Sequence, residues 1–386
     1  MVKGPPKVAH ILIPYLRKTE TFIYDRITNH VKYAPFVVTD EPVINAEMFP
    51  FDGRIFSLAD RNTAVHTADT LFRKSTGFSP YTLSVLAKEK PAVLHAHFGP
   101  VGVAAARIAK ILSAPLVVSF YGIDASALLD DPQYKKDYKR LFRQAVLVSV
   151  LSDDMGAKLA RAGCPENKLR VHHLAVDLAA LRQKEEESAG KEGGPLKIVS
   201  VGRLVPKKGM SLLIKAFESV LKNGVEAVLD IYGEGPLEGA LKKQIAEKRF
   251  TGKVNLHGHC ERVDVLKAMR AADVLALFSI TGPDGDSEGT PTVLIEAGAI
   301  GLPSVSTNHA GIPEVIVDGR TGFLVDEYDV GTFAERLMQL AGHPSLRVSM
   351  GRAARRRIAN GFDIKKVMAK IESDYDSAIE LYRKKK

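Results

Sequence analysis

The hydrophobic residues of this chain fall into short runs that alternate with longer stretches of helical periodicity. Apolar runs at residues 7–13, 92–97, 115–120 and 145–151 predict β-strands, and residues 99–113 predict a helix between two of them. Continuous apolar strands connected through helices are typical of a parallel sheet that is covered on both faces. The first half of the chain is therefore predicted to be a doubly wound α/β unit.

The same alternation resumes in the second half of the chain. It is interrupted at residues 182–195, where "RQKEEESAGKEGGP" is charged and rich in glycine and predicts a linker or exposed loop. The elements predicted after it are strands at 196–202, 227–233, 253–258, 273–278 and 303–307 and helices at 209–222, 236–248, 263–271 and 291–300. The sequence thus predicts an α/β fold with two Rossmann-like domains, the first over residues 1–181 and the second over 196–362.

Residues 363–386 have the period of an amphipathic helix. Its apolar stripe consists of Ile364, Val367, Met368, Ile371, Tyr375, Ile379 and Tyr382. A stripe of this length must pack on another part of the protein. In open parallel sheets, ligands bind beyond the carboxyl ends of the strands, so we expect the chemistry in loops that follow strands, at a cleft between the two sheets.

Composition narrows the classes of partner. The 386 residues carry a net charge of +9, which favours anionic partners, but no nucleic-acid-binding signature accompanies it. Two cysteines are too few for a disulfide framework. No run approaches the length of a transmembrane helix, and the N-terminal stretch reads as a strand and not as a signal peptide. We expect a protein of the cytoplasm, with contact at the inner face of the membrane as an open option.

A basic loop follows the first strand of the second domain. In "SVGRLVPKKGMSLLIKAF", Arg203, Lys207 and Lys208 lie between Val201, where the strand ends, and Gly209, where a helix begins. Cations next to the free N–H groups of a helix start suit a diphosphate. A solvated basic turn is the alternative.

Glycine and histidine patterns elsewhere give weaker signals. Gly233 and Gly235 follow a strand, but with Gly239 their spacing is one residue longer than the dinucleotide fingerprint, so a tight turn open to a ligand is the better interpretation. The segment 257–260, "HGHC", lacks a fourth ligand for zinc. His97, directly before "FGP", is a candidate polar group in the cleft.

Two carboxylates flank a short apolar helix in "SEGTPTVLIEAGAIGLP". Thr290 is a suitable N-cap, Pro291 suits the first helical position, and Gly301 marks the end. Glu288 and Glu296 would then lie roughly 10 Å apart, a span that fits a sugar–diphosphate–ribose. The alternative gives Glu288 a helix-dipole role and Glu296 a salt bridge to a neighbouring strand. A carboxylate within an apolar helix needs a polar partner in either case.

At these residues the chain resembles the family 4 retaining glycosyltransferases of the GT-B fold, over nearly its whole length. The most specific element is Glu-x7-Glu, here Glu288 to Glu296, and "VGRLVPKKG" looks like the diphosphate loop of the family. "AVDLAAL" resembles the segment that leads into the C-terminal domain, with Ala175 where glycine is usual. "KTETFIYDRI" and "HAHFGPVG…SFYGID" are most similar to the branch that builds bacterial exopolysaccharides.

The resemblance implies a role for each matching position. Basic residues hold the diphosphate of the leaving nucleotide, Glu288 contacts hydroxyls of the donor sugar, and Glu296 binds the ribose diol. The implied donor-binding residues are Gly202, Arg203, Lys208, Gly233, His257, Gly258, Glu288, Gly289, Thr290, Pro291, Thr292 and Glu296. The candidate catalytic residues are Arg203, Lys208, Glu288, His97, Tyr121 and Asp124. The resemblance also implies that residues 15–21 replace a glycine-rich donor loop and that the C-terminal helix crosses back to the first domain.

Tyr121 departs from the pattern of the branch, which often has histidine at this position. Tyrosine can donate a hydrogen bond but is a weak base near neutral pH. Either another residue such as His97 takes part, or the leaving phosphate accepts the proton of the acceptor and no side-chain base is needed. A protein that binds a nucleotide sugar without turnover therefore stays an alternative.

The implied reaction moves a sugar from a UDP- or GDP-linked donor to a saccharide or lipid-linked acceptor without a metal or cofactor. Asp284 and Asp286 resemble the metal-binding Asp-x-Asp pair of another glycosyltransferase fold, but we interpret them as solvated acids of a turn. The basic segment 131–145, with Tyr134, Tyr138, Leu141 and Phe142 interleaved, could lie on an anionic membrane or be a domain helix. A nicotinamide-dependent oxidoreductase and a GT-B phosphorylase are the remaining rivals.

Overall fold

The computed structural model describes residues 4–17, 20–181 and 194–384, and these form two compact units. The described residues up to Leu174 belong to the first unit together with those from Ile364 onward, and Ala175 to Asp363 bound the second. Residues 182–193 of the predicted linker, and 18–19 of the segment 15–21, lie outside the described residues.

The first unit contains a parallel sheet of seven strands. The strands are β1 (Lys7–Leu12), β2 (Ala34–Thr39), β3 (Ile55–Ser57), β4 (Val93–His97), β5 (Leu116–Ser119), β6 (Leu147–Val150) and β7 (Leu169–Val171). Their order is β3-β2-β1-β4-β5-β6-β7, and each pair of neighbours is parallel. The four strands predicted from apolar runs are β1, β4, β5 and β6, which are contiguous in the sheet and, apart from the exposed Lys7, buried throughout.

Helices connect these strands. They are α1 (Thr21–Thr28), α2 (Thr63–Thr76), α3 (Pro80–Glu89), α4 (Gly99–Leu112), α5 (Pro132–Gln144) and α6 (Asp153–Arg161). The start of α5 is well defined, because Pro132 lies in its first turn and the Asp131 side chain accepts hydrogen bonds from the backbone N–H groups of Gln133 and Tyr134.

The second unit repeats the architecture with six strands. They are β8 (Leu196–Val201), β9 (Ala227–Tyr232), β10 (Val254–Leu256), β11 (Val274–Leu277), β12 (Ser304–Thr307) and β13 (Gly322–Val325). The order is β10-β9-β8-β11-β12-β13, again parallel throughout. The direction of winding reverses between β8 and β11, and such a switch point leaves room for a ligand at the carboxyl ends of the strands.

The helices of the second unit cover both faces of this sheet. They are α7 (Leu178–Leu181), α8 (Met210–Lys222), α9 (Glu238–Glu247), α10 (Arg262–Ala271), α11 (Thr292–Ile300), α12 (Ile312–Val315), α13 (Val330–Gly342) and α14 (Pro344–Gly361). Phe217, Phe278 and Phe333 are fully buried between helices and sheet, and the rings of Phe278 and Phe333 stack 4.5 Å apart. Both units are therefore Rossmann-like, as predicted.

The last helix, α15 (Ile364–Lys384), belongs to the first unit although it follows the second in sequence. Its predicted stripe is buried at Val367, Met368, Ile371 and Tyr375. The predicted return of the C-terminal helix to the first domain is confirmed. The stripe also brings Glu372, which is 6% exposed, into the core of that domain.

Helix α5 packs its aromatic residues inward. The side chains facing the domain are almost fully buried, at 1% exposure each for Tyr138, Leu141 and Phe142. Tyr138 and Phe142 thus belong to the domain core, Tyr134 is half-buried, and the charged face of segment 131–145 is exposed. Within the described residues, no helix has the length and hydropathy that crossing a membrane requires.

Candidate functional site

Three glycines form a bare backbone edge at the carboxyl ends of β8, β9 and β10. The N–H of Gly233 donates to the carbonyl of Gly258 at 2.8 Å, and that of Gly202 donates to the carbonyl of Tyr232 at 3.0 Å. Gly233 has φ of +141°, and a Cβ there would lie 2.0 Å from the carbonyl oxygen of Gly202. The approach of these loops requires glycine, and it leaves main chain where larger side chains would otherwise stand.

The basic loop after β8 is joined to the loop after β11 by two ion pairs. Lys208 Nζ lies 2.8 Å from Glu288 Oε1, and Lys207 Nζ lies 2.9 Å from Asp286 Oδ2. Gly209 has φ of +56°, and a Cβ there would lie 2.0 Å from the carbonyl oxygen of Phe278. The predicted candidates Lys208 and Glu288 are therefore in direct contact, although 80 residues separate them in sequence.

The Lys208–Glu288 pair is largely withdrawn from water. Their side chains are only 13% and 9% exposed. Burial alone would raise the pKa of Glu288, but the ammonium groups of Lys208 and Lys207 together outweigh it and hold the pKa below its ordinary value. The site thus presents an ionised carboxylate, which accepts hydroxyl hydrogen bonds, beside a cation suited to phosphate.

The backbone of Glu288 is held by a histidine that the sequence reasoning missed. The N–H of Glu288 donates to His309 Nε2 at 3.1 Å, and His309 Nδ1 lies 2.7 Å from Glu327 Oε1. The other oxygen of Glu327 accepts the N–H of Thr281 at 2.7 Å. Because Nε2 of His309 accepts a hydrogen bond, the ring presents a proton on Nδ1 to the Glu327 carboxylate.

Glu296 has a protein partner. Arg262, the first residue of α10, donates from Nε and Nη2 to Glu296 Oε1 at 3.0 and 2.8 Å. The predicted alternative of a salt bridge to a neighbouring strand was wrong about the element, because the partner lies on a helix. The helix itself begins at Thr292, one residue later than predicted, with Pro291 as an N-cap that forms no side-chain hydrogen bond.

The remaining candidates of the second unit lie along the same edge. His257 stacks on Tyr232 at 4.3 Å between ring centroids, and its Nε2 lies 2.8 Å from Asp230 Oδ1. Gly289 and Thr290 are buried directly after Glu288. Arg203 is exposed, and among the described residues its guanidinium forms no ion pair, so the basic loop carries one cation that is not already neutralised.

In the first unit, two predicted residues touch each other. The hydroxyl of Tyr121 lies 2.6 Å from His97 Nδ1, and both side chains are buried, Tyr121 at 6% exposure. The hydroxyl therefore points toward the histidines of the sheet. Asp124 is buried as well and accepts the N–H groups of Gly99, Tyr121 and Gly122 at 2.9 to 3.0 Å. Burial raises the pKa of Asp124 although these bonds oppose it.

A cluster of buried histidines surrounds His97, and the sequence reasoning did not identify it. His10, His95 and His97 bring ring nitrogens within 4.8 Å of one another, a distance that raises the question of a metal. Both ring nitrogens of each are already in hydrogen-bond contact, with His30, Ser119, Tyr121, Tyr375 or each other. His95 and His97 also stack side by side at 4.3 Å instead of converging on a point. A hydrogen-bond network describes the cluster better than a ligand set.

Comparison with known proteins places the chain in a family. Residues 182–357 match the family described as "Glycosyl transferases group 1", and residues 49–180 match "Glycosyltransferase Family 4". The amylovoran biosynthesis glycosyltransferase AmsK of Erwinia amylovora is 34% identical over 284 residues, which cover 72% of this chain and 69% of AmsK. The chain belongs to the family 4 glycosyltransferases. The resemblance inferred from Glu288 to Glu296 is thereby confirmed.

Two further relatives of this family 4 glycosyltransferase are named for colanic acid biosynthesis. A protein named as the colanic acid biosynthesis glycosyltransferase WcaL of Salmonella typhimurium is 36% identical over 275 residues, 70% of this chain and 67% of that protein. The protein with the same name in Escherichia coli is 36% identical over 64% of this chain, but the match covers only 60% of its own length.

Solved structures confirm the GT-B fold. HepE of Anabaena, crystallised in complex with UDP, superposes with a TM-score of 0.79 over 96% of this chain and 100% of HepE, at 17% identity. The complex of HepE with UDP-glucose gives a TM-score of 0.78 at 18% identity. At this identity the likeness concerns the fold.

Proposed function

We propose that this glycosyltransferase moves a sugar from a nucleotide-sugar donor to a hydroxyl of a saccharide or lipid-linked acceptor, in polysaccharide or glycoconjugate synthesis. The observation that carries the proposal is the buried Lys208–Glu288 pair beside the glycine edge of the second sheet. Relatives named for amylovoran and colanic acid biosynthesis support an exopolysaccharide context. HepE, whose structures contain UDP and UDP-glucose, favours a UDP-linked donor.

In the proposed complex, the donor diphosphate lies against Lys208 and Arg203 at the basic loop. Negative charge grows on the diphosphate as its bond to the sugar lengthens, and preorganised cations stabilise that charge more than they stabilise the ground state. Binding would draw Lys208 from Glu288 toward phosphate and free the carboxylate for sugar hydroxyls. Glu296, oriented by Arg262, would accept the ribose diol, and His257 with Gly258 would border the base.

We further propose that the anomeric configuration is retained and that the reaction needs no metal. The Glu-x7-Glu spacing supports retention through the family pattern. The cations of the basic loop can neutralise a diphosphate without a divalent ion, and Asp286, one acid of the Asp-x-Asp pair, is already paired with Lys207. Titration with a chelator tests this part: unchanged transfer is expected, and loss of activity restored by a divalent ion would contradict it.

The function is tested first by binding and then by turnover. A thermal-shift screen of UDP- and GDP-linked sugars should select a donor, and transfer or hydrolysis of that donor follows. Lys208→Ala should lower kcat/KM at least about tenfold, equivalent to about 1.4 kcal/mol of transition-state stabilisation. Lys215→Ala, an exposed lysine on α8, is the matched control. Equal activity of both variants would contradict the assignment, and binding without turnover by the unmodified chain would favour the non-catalytic alternative.

A further inference from the structure

Lys207 and Lys208 are adjacent in the basic loop but have different neighbours. The stem of Lys208 runs along the glycine edge, where a Cβ on Gly202 would lie 3.3 Å from its Cδ and Cε. Lys207 contacts the loop after β11: its Nζ lies 2.9 Å from Asp286 Oδ2 and donates to the carbonyl of Ser287 at 3.2 Å. The two lysines are thus bound to different parts of the candidate site.

The loop after β11 is held by Lys207 at both ends. We call residues 280–288 the Glu288 loop. The carbonyl of Lys207 accepts the N–H of Ile280 at 2.9 Å, at the start of this loop. The two contacts of the Lys207 ammonium lie at the other end, directly before Glu288. One residue of the basic loop therefore anchors the Glu288 loop where it begins and where it delivers its carboxylate.

The Glu288 loop is compact between these anchors. The N–H of Gly282 donates to the carbonyl of Asp286 at 2.8 Å, and the N–H of Asp286 donates to Asp284 Oδ1 at 3.1 Å. The side chains of Lys207 and Asp286 are only 13% and 18% exposed. An ion pair that is largely withdrawn from water is screened less than a surface pair, so this one can order the loop.

The position of Glu288 depends on these anchors, because the carboxylate follows them within two residues. Ser287 and Glu288 are 5% and 9% exposed, so a shift at Asp286 must move buried groups. We propose that Lys207 is a positioning residue for sugar transfer: it sets the place of Glu288 through the Glu288 loop and does not bind the donor diphosphate. This role rests on the proposed function, in which Glu288 accepts hydroxyls of the donor sugar.

The competing role for Lys207 is that of a third cation on the diphosphate. To reach a phosphate, Lys207 would have to give up an ion pair and a contact with a carbonyl group. Arg203 has no ion pair to give up within the described residues, so it is recruited at lower cost. A nucleoside diphosphate, which contains the diphosphate but not the sugar, distinguishes the two roles.

The first test removes the ion pair at constant net charge. The double variant Lys207→Met with Asp286→Asn replaces both charged groups by neutral groups of similar size. UDP, or GDP if the thermal-shift screen selects a GDP-linked sugar, should bind with the Kd of the unmodified chain. The kcat/KM for the selected nucleotide sugar should fall at least about tenfold, because Glu288 is no longer held in place. A weaker Kd for the nucleoside diphosphate, or an unchanged kcat/KM, would overturn the proposal.

Lys243→Met with Glu247→Gln is the matched control. These side chains form an ion pair at 3.8 Å on α9 and are 78% and 64% exposed. The control makes the same change of charge without touching the Glu288 loop, so kcat/KM should stay at the value of the unmodified chain. Equal losses in the two double variants would contradict a specific role of Lys207.

Lys207→Arg tests whether the contacts or the shape of the side chain matter. A guanidinium can donate both to the Asp286 carboxylate and to the carbonyl of Ser287, so this variant should retain most of the kcat/KM that the double variant loses. A loss as large as that of the double variant would show that the two contacts are not what positions Glu288.

Hydrogen–deuterium exchange examines the Glu288 loop without turnover. The N–H groups of Thr281 and Glu288 donate to Glu327 and His309, and in the Lys207→Met, Asp286→Asn variant they should exchange faster than in the unmodified chain. Unchanged exchange would overturn the proposal. An unmodified chain that binds nucleotide sugars but never transfers them would contradict the proposed function, and the exchange rates would then still decide whether Lys207 anchors the loop.

Discussion

At the scale of single residues, the informative positions are polar groups inside apolar runs. Glu296 interrupts an apolar helix and His10 interrupts an apolar strand, and each has polar partners because an unpaired buried polar group is costly. Glu296 is bound by Arg262, and His10 by His30 and His97. The same rule that drew attention to Glu296 in the sequence also applies to His10, where it indicates a buried network.

His309 is expected to position Glu288 through one hydrogen bond. Asparagine at this position keeps a polar group near Nδ1, and glutamine keeps one near Nε2, where the N–H of Glu288 is bound. His309→Asn should therefore raise donor KM about tenfold, the effect of one lost hydrogen bond, and His309→Gln should retain more of the affinity. Steady-state kinetics with the selected donor measure both. The reverse ranking would show that the contact with Glu327 is the important one.

The glycines of "YGEGPLEG" give a second residue-scale prediction. A Cβ at Gly233 would meet the carbonyl oxygen of Gly202 at 2.0 Å, and its φ of +141° is unfavourable for other residues. Gly233→Ala should lower the free energy of unfolding by about 2 kcal/mol or more.

Gly239 is the control within the same motif. It lies in α9, and a Cβ there would have no neighbour within 4 Å. Gly239→Ala should stabilise the protein by up to about 1 kcal/mol through helix propensity. Chemical denaturation compares the two variants, and a similar destabilisation by both would contradict the close approach seen at Gly233.

At the scale of elements, the predictability of the fold follows burial. The apolar runs located β1, β4, β5 and β6 because these central strands are covered on both faces. The apolar patterns did not locate the edge strands β3 and β7, which have three residues each and partly exposed side chains. They also missed β2, which begins with two half-buried residues, and the edge strand β13. Glu288 could be predicted as a site residue because its motif spans few residues. His309 and Glu327 could not be predicted, because only the parallel order of β11, β12 and β13 brings them close to Glu288.

Helix α5 carries an element-scale prediction for the membrane. Tyr138 and Phe142 are buried and Tyr134 is half-buried, so we expect attraction to lipid to come mainly from the exposed cations Lys135, Lys136, Lys139, Arg140 and Arg143. Binding to anionic liposomes should then be present at low salt and lost at high salt, because exposed charges are screened.

Charge reversal locates this attraction on α5. The pair Lys136→Glu and Lys139→Glu should abolish liposome binding in a sedimentation assay, whereas Lys215→Glu with Lys243→Glu, exposed lysines of the second unit, should leave most of it. Binding to uncharged vesicles, or the same loss from both pairs, would contradict a contact made by the charged face of α5.

At the scale of the whole molecule, the two units are similar in architecture but differ in how their buried polar groups are paired. The second unit pairs opposite charges at its sheet edge, as in Lys208 with Glu288. The first unit contains uncharged imidazoles within its sheet, and Glu372 on α15 supplies a carboxylate at His30. An ion pair tolerates mild acid because both partners keep their charge. A neutral imidazole cluster does not tolerate mild acid, because as the pH falls its rings bind protons in the unfolded chain before they do so in the folded one.

The first unit should consequently lose stability in mild acid. The pKa of His10, His95 and His97 is held well below 6.5 by burial, and below that pH the unfolded chain binds protons that the folded chain does not. Each such group removes up to about 1.4 kcal/mol of unfolding free energy per pH unit as the pH falls from 6.5. Glu288 and Glu372, whose pKa values are lowered, weaken the fold only at lower pH, so histidines govern the window between pH 6.5 and 5. Denaturation curves across that window should show this slope. His95→Gln should reduce the slope by up to about 1.4 kcal/mol per pH unit, the contribution of one histidine. A wild-type stability that is flat between pH 6.5 and 5 would show that the buried rings take up protons in the folded state as they do in the unfolded chain.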